Sequence, residues 1–244
     1  MNNLKNDFKN IGISVIITAA GSGTRMGSNK PKQFIELQGV PIIERTLKKF
    51  YNIDLINEII IIVREDDLDF YDDLVCNYSS KLKIVIGGKT REESTYNGLL
   101  ETNESNEIII CHDGVRPFVS EEIILNSIKS MRDYNAVVVA VPAKDTIKSV
   151  REDNTIAYTP KRKFLYNAQT PQVFKRNLIM DAYKKAFQDD IQVTDDSSLM
   201  EVIGEKVKII EGSYSNIKIT TKEDLIFGEI IAQREALDEN RDRI

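Results

Sequence analysis

Six short runs of apolar, largely β-branched residues alternate with amphipathic stretches along this chain, at 14–18, 58–63, 83–86, 107–111, 136–141 and 206–210. These runs lack the polar alternation of a half-exposed strand, so each predicts a strand covered on both faces. The stretches between them predict helices at 41–51, 66–77, 91–101, 120–132, 177–187, 195–203 and 222–234. Strands and helices in this alternation imply an α/β fold, a mostly parallel sheet with helices on both faces. Such sheets place ligands in the crevice beyond the carboxyl ends of their strands.

The loop after the first run carries the most chemistry. Val15-Ile16-Ile17 leads into Ala19-Ala20-Gly21-Ser22-Gly23-Thr24, and Arg25, Lys30 and Lys32 follow closely. Glycines let the backbone approach a ligand and aim N–H groups at it. The cations supply the charge that a polyphosphate requires. The loop therefore predicts a nucleoside triphosphate site. It departs from two related patterns: a dinucleotide fingerprint needs glycine at 26, where Met26 stands, and the Gly-Lys-Ser/Thr of a Walker A loop is absent.

Gly87-Gly88 and His112-Asp113-Gly114 also sit just after predicted strands, so three loops are expected to meet at one rim. Residues 144–170 break the alternation. Their short runs and the turn signal Glu152-Asp153-Asn154 predict a β-hairpin arm projecting from the core. A lone hairpin is marginal, so this one is expected to pack on something, a second subunit being the natural candidate. Residues 12–234 are expected to form a single domain, and the charged segment 235–244 a frayed tail.

Composition narrows the function. A net charge of −5 argues against nucleic acid or an anionic membrane as the main partner, although a local basic pocket escapes such a sum. The polar start MNNLKNDFKN lacks a leader's apolar segment, and the chain reads as cytoplasmic. Cys76 and Cys111 make no disulfide framework, and Cys111 reads as a buried strand residue. His112 is the only histidine, which disfavours a zinc site and a Ser-His-Asp mechanism.

The segment from Ala19 to Gln33 resembles the signature of sugar-nucleotide pyrophosphorylases and related nucleotidyltransferases. Further features follow in order: Gly87-Gly88 with Arg91 and Ser94, His112-Asp113-Gly114-Val115-Arg116-Pro117, Val141-Pro142-Ala143-Lys144-Asp145-Thr146, Gln169-Thr170-Pro171-Gln172, Thr194-Asp195-Asp196 and Asn216-Ile217-Lys218. Together they resemble the polyol-phosphate cytidylyltransferases over residues 13–234. The resemblance implies a Rossmann-like nucleotidyltransferase fold. It also implies binding of the CTP phosphates at Ala19, Ala20, Gly21, Ser22, Gly23 and Thr24, with Arg25, Lys32 and Lys218 as catalytic cations. Gly88 and Ser94 match positions that read the cytosine edge. Asp113 matches the aspartate that approaches the ribose and a magnesium ion, and Gly114 beside it is counted with the CTP-binding residues. Asp145, Thr146 and Arg162 match positions around the polyol phosphate, and Arg162 is expected to serve the neighbouring subunit of a homodimer joined through the arm. Two departures stand out: Lys89 follows the glycine pair where aspartate or threonine is frequent, and Gly114 replaces a frequent alanine, a mild change on this reading.

The implied chemistry suits these residues. A phosphomonoester oxygen attacks the α-phosphorus of CTP and pyrophosphate leaves, which needs two polyanions held in line and their charge neutralised. 2-C-methyl-D-erythritol 4-phosphate is the favoured acceptor, because Val193–Leu199 resembles the segment of its enzymes; D-ribitol 5-phosphate is the rival. A non-catalytic nucleotide-binding subunit and a dinucleotide-dependent dehydrogenase are further alternatives. Several residues also carry plain structural readings: Arg116 as a loop tie, Asp113 as a turn cap, Asp195 as a helix cap, and Lys218 as a surface lysine.

Overall fold

Strand β1 (Gly12–Thr18) is buried on both faces, with Val15 and Ile17 in one core and Ile16 in another. A computed structural model of the chain describes residue 8 and residues 11–21 and 31–241. β1 is followed by a short hairpin, β2 (Glu36–Leu37) and β3 (Val40–Pro41), and by helix α1 (Ile42–Tyr51). β4 (Glu58–Val63), a 3-10 turn and α2 (Asp72–Tyr78) come next. β5 (Leu82–Ile86), α3 (Arg91–Leu100), β6 (Asn106–Asp113), α4 (Glu121–Ser130) and β7 (Ala136–Pro142) complete the alternating region.

The main sheet has seven strands among the described residues, in the order β11-β7-β10-β6-β1-β4-β5, where β10 is Tyr166–Lys175 and β11 is Val207–Glu211. β1 pairs in parallel with both β4 and β6. The chain thus builds outward on one side of β1 through β4 and β5, then returns to its other side with β6. That reversal is a topological switch point, where a crevice opens between diverging connections.

Both sheet faces are covered, which explains the continuous apolar runs. On β4, Ile59, Ile61 and Val63 belong to a core shared with α1, α2 and α4, while Ile60 and Ile62 belong to the opposite core, shared with α3, α5 (Arg176–Gln188) and α6 (Asp196–Val202). Each such side chain contributes roughly 1.5–3 kcal/mol on burial. A smaller third core joins Leu37, Ile42, Val115, Phe118, Ile219 and Ala232. It fixes the loop after β6 against α7 (Lys222–Arg241), and Ile219 N–H donates to Val115 O at 2.9 Å.

The expected strands and helices form, with three differences. Residues 66–77 begin as a 3-10 turn, Glu65–Tyr71, before becoming α2. The last helix continues through Arg241, beyond the expected end at 234, helped by the Lys49–Glu235 ion pair at 2.8 Å. The hairpin is shorter than 144–170: its strands are β8 (Ser149–Val150) and β9 (Ile156–Tyr158), turned at Asn154 with φ +62°. Residues 166–170 instead open β10, which runs antiparallel to both β6 and β7 in the middle of the sheet. Pro171, preceded by a cis peptide bond, and the polar residues around it hid this strand.

Candidate active site

Three loops meet at the switch point, as expected, and enclose a cleft of about 280 Å³. The first leaves β1, where Ala19 N–H donates to Ile62 O at 2.8 Å. Ala19, Ala20 and Gly21 line the cleft with Lys32 and Gln33, which come from a 3-10 turn at Lys32–Phe34. Gly21 and Lys32 are close: a Cβ built on Gly21 would lie 3.9 Å from Lys32 Nζ. Ser22, Gly23, Thr24 and Arg25 lie outside the described residues.

The second loop leaves β5. Gly88 N–H donates to Ser94 Oγ at 3.0 Å, and the same hydroxyl donates to Thr90 O at 2.7 Å. Thr90 caps α3 by accepting from Glu93 N–H, and Glu93 reaches back to accept from Lys89 N–H at 2.7 Å. A Cβ at Gly88 would lie 2.4 Å from that of Glu93, so the tight turn excludes a side chain there. Gly88 and Ser94 therefore form one rigid edge, with Lys89 beside it at the cleft wall.

The third loop leaves β6 and carries Asp113, the one carboxylate among the described residues lining the cleft. Its Oδ1 accepts from Lys218 Nζ at 3.0 Å and its Oδ2 from Arg116 Nε at 2.8 Å. Burial opposes charge on Asp113, but the Lys218 and Arg116 cations outweigh it and hold the carboxyl well below the usual carboxylate range. Arg116 also donates to Asn216 O at 2.9 Å, so the loop-tie reading of this arginine holds. Lys218 is no simple surface lysine, since it pairs with Asp113 while its side chain stays 41% exposed at the cleft. Gly114 is less replaceable than expected: a Cβ there would lie 2.9 Å from Thr18 O, a backbone atom that cannot move alone.

Two adjacent aspartates, Asp195 and Asp196, stand at the start of α6. Arg91 makes a bidentate pair with buried Asp196, both contacts at 2.9 Å, and Tyr183 donates to the same carboxylate at 2.6 Å. Burial works against the Arg91 charge, but Asp196 more than compensates and raises its pKa. Asp195 caps α6 by accepting from Ser198 N–H at 3.0 Å, while Gln172 donates to Asp195 and accepts from Ser197 N–H. Capping thus accounts for Asp195. The ion pair of Asp196 with Arg91, across 105 residues, carried no local sequence signal.

Lys32, Lys218, Ala19, Ala20, Gly21, Gly88, Ser94 and Asp113 are brought together at one cleft. Gly114, expected among the CTP-binding residues, is not one of the lining residues; it packs against Thr18, Ala19 and Ile43. Asp145, Thr146 and Arg162 are not among the lining residues of this chain's cleft. They lie at the foot of the arm, where Arg162 donates to Lys144 O at 2.8 Å. Thr170, in sequence only one member of the Gln169–Gln172 segment, joins the site directly: its hydroxyl accepts from Asp113 N–H at 3.1 Å. Its position beside a proline in a polar segment was the available signal. Cys111 is buried, which pushes its thiol up and leaves it inert.

Residues 13–234 match the family model described as 2-C-methyl-D-erythritol 4-phosphate cytidylyltransferase. The chain belongs to the 2-C-methyl-D-erythritol 4-phosphate cytidylyltransferase family. A member of that name from Clostridioides difficile (strain 630) is 47% identical over 232 residues, covering 94% of this chain and 98% of the relative. A crystal structure of the 4-diphosphocytidyl-2C-methyl-D-erythritol synthase of Anaerococcus prevotii is 42% identical and covers 96% of this chain and all of its own, with a TM-score of 0.85. The cytidylyltransferase of Francisella tularensis is 31% identical with a TM-score of 0.76, covering 88% of this chain and 97% of its own. Family membership makes the chain a nucleotidyltransferase and sets aside the dehydrogenase reading. Among the described residues, no helix is long and apolar enough to cross a membrane.

Proposed function

We propose that this cleft joins CTP to 2-C-methyl-D-erythritol 4-phosphate, releasing pyrophosphate and 4-diphosphocytidyl-2-C-methyl-D-erythritol. The observation that carries this reading is the pairing of Asp113 with Lys218 and Arg116, with Asp113 and Lys218 lining the same switch-point cleft as Ala19, Ala20, Gly21 and Lys32. The CTP phosphates lie along Ala19–Thr24, and the cytosine edge meets Gly88 and Ser94. The acceptor phosphate oxygen attacks the α-phosphorus in line, and pyrophosphate leaves from the opposite side. Lys32, Lys218 and Arg25 neutralise charge as it builds on the phosphates. No side chain needs to act as a nucleophile.

The donor set suits magnesium. Asp113 is ionised and lines the cleft, and no group of three metal-ligating side chains occurs among the described residues. Magnesium is held typically by one or two carboxylates together with substrate phosphates. Asp113 would hold the ion against the nucleotide, where it supplies charge neutralisation. The chain's own residues orient both substrates.

Asp145, Thr146 and Arg162 take the polyol phosphate at the foot of the arm, with Arg162 serving a partner's cleft. Ile147, Val150, Ile156, Tyr158, Phe164 and Tyr166 are all at least 39% exposed on or beside the hairpin. An apolar surface of that kind supports a homodimer formed through the arm. The cytoplasm, where CTP is available, is the compartment this reading implies.

The deciding assay measures pyrophosphate release from CTP and magnesium with 2-C-methyl-D-erythritol 4-phosphate, run beside D-ribitol 5-phosphate. A preference of about tenfold or more in kcat/KM for the erythritol phosphate, about 1.4 kcal/mol, is expected. The reverse preference would overturn the acceptor assignment. No release with either would overturn the reaction and favour a non-catalytic subunit.

A further inference from the structure

His112 is the chain's only histidine, and its ring is buried edge-on against Phe50, with centroids 4.8 Å apart. Both ring nitrogens are engaged. Nε2 lies 3.0 Å from Arg116 O, and Nδ1 lies 3.0 Å from the Thr170 hydroxyl. A carbonyl oxygen can only accept, so Nε2 carries a proton. The buried ring is bonded to a carbonyl and a hydroxyl and packed on Phe50, with no carboxylate among the described residues bonded to it, so it is held neutral and Nδ1 is an acceptor. Thr170 must then donate its only hydroxyl proton to Nδ1. Its oxygen keeps a lone pair for Asp113 N–H, which lies 3.1 Å away.

The result is a directional relay: Asp113 N–H to Thr170 Oγ, Thr170 O–H to His112 Nδ1, and His112 Nε2–H to Arg116 O. It spans the turn closed by the Arg116 N–H to Asp113 O bond at 3.1 Å. The two residues gripped by the relay are also paired through their side chains, Arg116 Nε to Asp113 Oδ2. One uncharged ring, reached through strand β10, thus sets the backbone of both members of that pair.

We propose that His112 is a positioning residue that, through the Thr170 hydroxyl and the Arg116 carbonyl, holds the Asp113 carboxylate and the Arg116 guanidinium in their working orientation at the cleft. The inference rests on the reading of Asp113 as the group that meets the nucleotide and its metal. His112 itself touches no substrate. Its contribution is preorganisation, where small misplacements carry large rate penalties.

Because the histidine is unique, selective 15N-histidine labelling of the full chain gives one imidazole to observe. The expected spectrum at pH 7.5 shows a protonated Nε2 and an unprotonated Nδ1, with the Nδ1 signal moving when CTP and magnesium are added. Thr170→Val should displace the Nδ1 signal and lower kcat/KM by roughly 10- to 100-fold. Thr170→Ser, which keeps the hydroxyl, should restore both. A protonated Nδ1 would overturn the proposal, and this reading needs no variant to fold. Near-normal kcat/KM in folded Thr170→Val, with Asp113→Asn inactive, would overturn this proposal alone. Full activity in Asp113→Asn would instead overturn the reading of the site, and the proposal with it.

Discussion

Lys218 and Asp113 are separated by 105 residues of chain, and Nζ of the first sits 3.0 Å from Oδ1 of the second. The carboxylate is buried while the ammonium is partly open to the cleft. A phosphate entering the cleft meets a lysine already oriented by its partner. The pair was legible only as two separate motif positions, because nothing local links residue 113 to residue 218.

Replacing that lysine should therefore have two effects. Lys218→Ala leaves one oxygen of a buried carboxylate without its donor, which costs about 1–3 kcal/mol. It also removes a charge from the reacting phosphates, for a loss of roughly 10²–10³ in kcat. Denaturant unfolding and steady-state kinetics on the same preparation check both. A variant as stable and active as the parent would remove Lys218 from the site.

Lys32 reaches the cleft from the short 3-10 turn Lys32–Phe34. Lys32→Ala should lower kcat by roughly 10²–10³ while the chain still folds. A near-normal kcat would take it out of the mechanism.

Acid should weaken the fold through His112. The folded ring titrates near 4, against 6.5 for an ordinary histidine. Between those values the unfolded chain binds a proton that the folded chain refuses, so stability falls as pH drops through the window. From pH 7 to pH 5 the expected loss is about 2 kcal/mol. Asp113 and Glu58, both held below their ordinary values, add further losses only at lower pH. His112→Phe should flatten the unfolding profile between pH 7 and 5; an unchanged slope would assign it to other groups.

The arm permits a test by complementation. If Arg162 serves the neighbouring cleft, Arg162→Ala and Lys32→Ala chains, each nearly inactive alone, should regain activity once unfolded together and refolded as mixed dimers. Sedimentation would establish that dimers form. Absence of recovery in verified mixed dimers would confine Arg162 to its own chain.

The α/β architecture was legible because fully buried strands leave unmistakable apolar runs, as at Glu58–Val63. β10 was not, because Gln169, Thr170 and Gln172 spend their side chains on Ser213, the Asp113 loop and α6 rather than on either apolar core. The glycine loop and Asp113 were found from motif chemistry. Thr170 and the Arg91–Asp196 clamp required the fold, since their partners are distant in sequence.

Strand β10 has one more consequence, for how this chain tolerates changes in length. Side chains alternate faces along a strand, so a single inserted or deleted residue reverses every contact beyond it. Between Ala168 and Gln172 the register with β7 already shifts, and Gln169, Thr170 and Gln172 each reach a different partner there. That stretch should accept no insertion at all. Among the described residues, the turn at Arg151–Thr155 bonds within itself and to Ile156 O of the same hairpin, and it should accept several. The same excursion of chain therefore joins a freely variable tip to a root of fixed length, and mutational scanning by single-residue insertion would trace the border between them.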